Sequence, residues 1–108
     1  MRRLNGTMPL DRYELAAGAA LLAGEVTALN AAGKAVRAAD AASLNVIGLA
    51  KHVLDGHVEV EDGIYALANS ADHPVTRAMR GQLCYIEDPN TVAASSAHSI
   101  AAGVVVDV

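Results

Sequence analysis

The 108-residue chain predicts an all-β fold: a small single-domain β-sandwich or barrel of short strands, with one short helical turn and an N-terminal arm. Three observations lead there. Apolar and polar residues alternate with a period of two, most plainly in residues 57–61, where Val58 and Val60 share one side and Glu59 and Glu61 the other. Turn-forming residues punctuate such runs at short intervals, at 30–34, 55–56, 62–63 and 88–90. Several short strands separated by turn signals suit a sandwich or a barrel, and seven to nine strands are expected here.

Taken in order, residues 1–11 show no periodicity and are broken by Gly6 and Pro9. They read as an arm with apolar anchors at Leu4, Met8 and Leu10, preceding a β domain of residues 12–108. Residues 11–23 read two ways. Asp11 followed by Glu14 resembles a capping box, and Ala and Leu favour helix. Gly18 and Gly24 bracket the Leu21 and Leu22 pair, and the alternation that follows at 25–30 favours a strand. A hairpin connection at 30–34, with Gly33 free to take a positive φ, leads to a short return strand at 35–38.

Residues 40–43 form a loop, and 46–52 a strand in which Gly48 marks a bend or a close backbone approach. Asp55 and Gly56 turn the chain into the run at 57–61, and residues 64–68 resume the strand after Asp62 and Gly63. Asp72 is placed to cap a single helical turn, Pro74 fits its first turn, and Gly81 ends it in a left-handed conformation. Strands at 82–87 and 91–92 follow, joined by Asp88, Pro89 and Asn90; a small-residue loop at 93–99 leads to a buried closing strand at 101–108.

The composition bounds the function. There is no Phe or Trp and only three Tyr, so the core is built from Ala, Val and Leu. Small side chains remove less apolar area from water, at about 25 cal/mol per Å². Contacts between subunits are expected to complete a core this light. A net charge of −4, with acidic residues spread along the chain, argues against nucleic-acid binding. No apolar run approaches the length of a membrane span. Asp11, Arg12 and Glu14 interrupt the order a signal peptide needs. Cys84 is the only cysteine and reads as a small core residue.

No catalytic or metal-binding pattern emerges, and no cofactor is expected. His52, His57, His73 and His98 lack metal-ligand spacing. Glu59, Glu61 and Asp62 read as a solvated strand face rather than a calcium loop. Ser95, Ser96 and Ser99 crowd one loop near His98 without a nucleophile motif. A protein that binds other proteins is what remains.

One resemblance sharpens this. The run Ala17-Gly18, Gly24-Glu25-Val26, Ala28-Leu29-Asn30, Gly33 and Val36, followed by Val46-Ile47-Gly48, resembles the capsid cement (head decoration) proteins of tailed bacteriophages and prophages. Later elements keep the order: Val58-Glu59-Val60, Gly63, Ala68-Asn69-Ser70, Gly81, Cys84-Tyr85-Ile86, Thr91-Val92-Ala93 and Ala102-Gly103. The ordered series of glycine turns and short strands over residues 13–108 carries it, rather than any one motif. It also favours the strand reading of residues 11–23.

The resemblance implies a non-enzymatic virion protein on the outer surface of an icosahedral head, made in the bacterial host cytoplasm. Its partners would be the major capsid protein and itself, as a homotrimer or else a dimer, with no nucleic acid and no membrane. The arm residues Arg2, Arg3, Leu4, Met8 and Leu10 are then the candidate capsid-binding residues. Two positions depart from the family. Leu21 and Leu22 stand where a bulkier aromatic is common, and relatives continue past Asp107 and Val108 into a last strand, leaving here an open edge or one covered by a neighbour. The alternative from another class is a small β-barrel ligand-binding or accessory domain of a bacterial protein.

Overall fold

Two sheets account for nearly all the regular structure of residues 11–108, the residues that this computed structural model describes. The first has the order β1 (Asp11–Glu14), β5 (His57–Glu61), β4 (Asn45–Leu54), β2 (Val26–Leu29) and β3 (Ala35–Arg37), with every neighbouring pair antiparallel. The second has the order β6 (Ala68–Asn69), β8 (Thr91–Ala93), β7 (Leu83–Asp88) and β9 (Ala101–Val104), in which only β6 and β8 run parallel. The fold is all-β, and it combines the two architectures that the sequence left open.

The first sheet curls until its outer strands meet. Leu15 forms a parallel bridge with Ala35, and the N–H of Ala16 donates to the Ala35 carbonyl at 3.0 Å. Curling that tightly needs strands that bend, and β4 supplies the bends. Its pairing slips by one residue opposite Thr27 and Ala28, and again between Ala50 and His52, so Ile47 and Lys51 are extra residues. Gly48 sits at the first of these bulges with φ +147°. A Cβ there would lie 2.5 Å from the Glu61 carbonyl oxygen, so only glycine lets β5 approach.

The inward face of this curled sheet is filled by Leu21, Ala35, Ala50, Val58 and Val60, with Tyr13, Leu15, Leu29 and Ile47 packed against them. Alternation puts the opposite face of β2, β3 and β4 against the second sheet. There Val26, Ala28, Ala38, Ile86 and Ile100 are buried, and Val36, Leu44, Val46, Leu49, Leu67 and Ala102 surround them. A third, smaller cluster of Val75, Cys84 and Val105 lies beyond. Each buried Val, Leu or Ile contributes about 1.5–3 kcal/mol, so three small clusters replace the aromatic core that this sequence lacks.

Several expectations change. Residues 11–23 form no helix, but the strand stops at Glu14; a loop follows in which Leu21 plugs the inner cluster. Asp11, assigned to the arm on sequence, belongs to β1. Residues 64–67 do not resume β5. Leu67 turns into the core between the sheets, and Ala68 N–H donates to Asn90 O at 2.9 Å, which draws the segment across to the second sheet and leaves Ile64 exposed. The helical turn is a 3₁₀ helix, Arg77–Met79, and Asp72 does not cap it. Thr76 occupies the N-cap without a side-chain bond, while Asn69 fixes the approach by accepting from Val75 N–H and donating to Val75 O. Gly81 does end the turn in a left-handed conformation, φ +85°.

Candidate interaction surface

The closing segment departs furthest from expectation and defines the surface. Residues 101–108 were expected as a buried strand, yet β9 ends at Val104 and lies at the outer edge of the second sheet. β7 lies on one side of it, and among the described residues no strand lies on the other. Alternation at such an edge sends one set of side chains inward and the next into water. Val105 is buried against Cys84 and Val75, whereas Val104, Val106 and Val108 are each more than half exposed. Leu83, directly opposite Val104 in the antiparallel register, is 49% exposed. Leu83 and Val104 therefore start an outward apolar strip that Val106 and Val108 extend along the tail.

The strip is held in place from beneath and behind. Val105 N–H donates to Gln82 O at 2.8 Å, and Gly81 N–H donates to Val105 O at 2.8 Å. Arg80 Nε donates to the Val106 carbonyl at 2.9 Å, and Arg77 lies 3.8 Å from the Asp107 carboxylate. The 3₁₀ turn thus delivers two arginines to the tail. Cys84, on the inner side, donates weakly through Sγ to Gly103 O, and burial pushes its thiol pKa up.

Elsewhere the polar residues are engaged with one another. Glu59 accepts from His52 at 3.1 Å and from Arg12 at 3.3 Å, a row across β4, β5 and β1; these bonds hold its carboxyl below the usual range, His52 contributing most. Lys51 lies 3.9 Å from Glu61. Lys34 pairs with Glu14, which lowers the Glu14 pKa. Tyr65 is half-buried, and burial raises its pKa, with Asp62 and Glu61 adding to the shift. Asp40 accepts the backbone N–H groups of His98 and Ala97 and lies 3.1 Å from His98 Nδ1. The loop at 93–99 is tied to the loop after β3 in this way, and the backbone bond from His98 is the largest cause of a lowered Asp40 pKa. Ser96 Oγ, in that loop, is buried without a partner.

Glu25 is the one acidic residue buried in the described domain. Its carboxylate takes both Arg37 Nε and Nη2, at 3.1 and 2.7 Å, and the Leu22 N–H at 2.8 Å. It shapes the turn that presents Leu22, 66% exposed, next to the anchored Leu21. Sequence reading missed this ion pair because Glu25 and Arg37 are apart in sequence and come together only through the β2–β3 hairpin.

Among the described residues, no group of three His, Cys, Asp or Glu side chains gathers as a metal site. The candidate capsid-binding residues Arg2, Arg3, Leu4, Met8 and Leu10 lie outside the described residues. The residues that form the surface instead, Leu83, Val104, Val106 and Val108, carry no sequence signal that separates an exposed valine from a buried one. Compared with known proteins, the chain matches no family model, no curated protein and no solved structure.

Proposed function

We propose that this chain is a non-enzymatic structural protein that decorates and stabilises the outside of an icosahedral phage head by binding the major capsid protein. The observation that carries the reading is the outward apolar strip of Leu83, Val104, Val106 and Val108, held by Arg80 and the Val105 backbone bonds at the outer edge of the second sheet as the described residues form it. Exposed apolar side chains on a fixed backbone are what a docking surface needs, because little ordering entropy is left to lose on binding. The sequence resemblance supplies the partner, and Arg2, Arg3, Leu4, Met8 and Leu10 remain candidates for a second contact. Many copies on one shell turn weak single contacts into strong attachment.

The alternative, a β-barrel that binds a small ligand, has less support. Leu21, Val58, Val60 and Ala50 fill the interior of the curled sheet, where a ligand would sit. The test is co-sedimentation with undecorated heads. Near-stoichiometric binding is expected, reduced at least tenfold in affinity by Leu83→Asp. Absence of binding to heads by the unaltered protein overturns the reading.

A further inference from the structure

We infer that the outer edge of β9, which no strand of the described residues covers, pairs with β9 of a second copy, in an antiparallel two-fold arrangement centred on Val104. The direction of the backbone groups carries the argument. Val105 turns both its N–H and its carbonyl toward β7, to Gln82 and Gly81. Groups alternate sides along a strand, so the N–H and carbonyl of Val104 point the other way, out of the sheet. Two copies related by a two-fold axis at this residue then exchange both bonds, Val104 to Val104.

Three further features make a second copy the occupant. Other edges of the fold are closed from within: β1 and β3 meet through Leu15 and Ala35, and β6 is two residues long, with the Asn69 side chain holding Val75 beside it. Of the devices that keep edges apart, β9 has one bulge, at Ala102 and so before Val104, but no charge and no proline among Ala101, Ala102, Gly103 and Val104. Self-pairing is also charge-neutral, which matters for a chain of net charge −4, because no carboxylate is brought against its own copy along residues 101–106.

Directly opposite residues lie on one face of a sheet, so pairing sets the two Val104 side chains side by side. With Leu83 next to each, the two apolar strips become one continuous band. Arg80 holds the Val106 carbonyl, so the ladder ends there and stays short. A contact this small belongs with weak, transient interfaces, and the dimer forms in the micromolar range or above. A two-fold edge pairing closes at two copies, the second of the two states, homotrimer or else dimer, that the resemblance implies. The inference concerns the free protein and stands or falls independently of capsid binding.

Sedimentation equilibrium of the free protein tests it, from about 10 μM to 1 mM, spanning weak affinities. A monomer–dimer equilibrium is expected. Val104→Pro, which removes the outward N–H while keeping an apolar side chain, is expected to shift dissociation at least tenfold toward monomer. Val104→Lys, which sets two like charges face to face, does the same if the proline variant fails to fold, and circular dichroism checks each variant. Hydrogen exchange of the Val104 amide should slow as concentration rises. A monomer throughout, a trimer, a dimer unchanged by a folded Val104 variant, or a Val104 amide protected equally at all concentrations each overturns the inference.

Discussion

Gly48→Ala places a methyl group where β4 and β5 leave no room for it. The new Cβ would lie 2.5 Å from the Glu61 carbonyl oxygen, 2.8 Å from Val60 Cγ1 and 3.0 Å from the Glu61 carbonyl carbon, and ordinary contact begins at 3.4 Å. None of the three is the far end of a flexible side chain. Either the strands separate or the bulge rearranges. The φ of +147° adds strain of order 1–3 kcal/mol for any residue with a Cβ. Opening the strands there weakens one or two ladder bonds, about 0.5–1.5 kcal/mol each. Together these give roughly 2–6 kcal/mol, a large part of the 5–15 kcal/mol typical of a domain. The midpoint of thermal unfolding should fall by about 15–30 °C for a loss near the middle of that range. Gly33→Ala is the control: its φ is +78°, but nothing lies within 4 Å of the added methyl. It should cost only about 1–2 kcal/mol of left-handed strain. Urea unfolding followed by far-ultraviolet circular dichroism measures both. If Gly48→Ala loses no more stability than Gly33→Ala, the close approach of β5 is not what glycine serves.

Other perturbations probe separate parts of the fold. Glu25→Ala strips the acceptor from Leu22 N–H and the partner from Arg37, and should cost about 1–3 kcal/mol in urea, while Glu25→Gln keeps an oxygen for Leu22 and should cost less; equal losses would show that the turn does not depend on that bond. Ile86, fully buried between the sheets, should lose about 2–5 kcal/mol on change to Ala, and a smaller loss would mean that the two sheets are not packed through it. Asp40 has its pKa lowered in the folded state, so its contribution is complete above the ordinary value of 3.8 and is lost as the pH falls below it. The thermal midpoint of Asp40→Asn should therefore fall less steeply with acid than that of the unaltered protein, and parallel curves would remove Asp40 from the acid response. Cys84, buried and with its thiol pKa raised, should react with a chromogenic disulfide reagent only as the protein opens; prompt reaction in native buffer would contradict its place in the core.

Local conformation and strand periodicity were legible from the residues alone. The alternation at 57–61 assigned Val58 and Val60 to the inside correctly, because side chains along a strand point to opposite faces whatever the fold. The hairpin at 30–34 was legible because Gly33 takes φ +78° and Asn30 accepts the N–H groups of Ala32 and Lys34 through Oδ1. Gly48 announced a bend or a close approach, and the end of the helical turn at Gly81 was equally plain.

Tertiary structure alone decided where each strand lies in its sheet. The closure of the first sheet at Leu15 and Ala35 joins residues distant in sequence, and no local pattern encodes it. Residues 64–67 read as a strand resumed after Asp62 and Gly63, but a strand needs a partner, and the pull of Leu67 and Ala68 toward the second sheet prevailed. Val104, Val105 and Val106 are chemically identical, so hydropathy cannot separate them. Only the position of β9 at a sheet edge buries Val105 and leaves its two neighbours in water, and that placement makes the candidate surface.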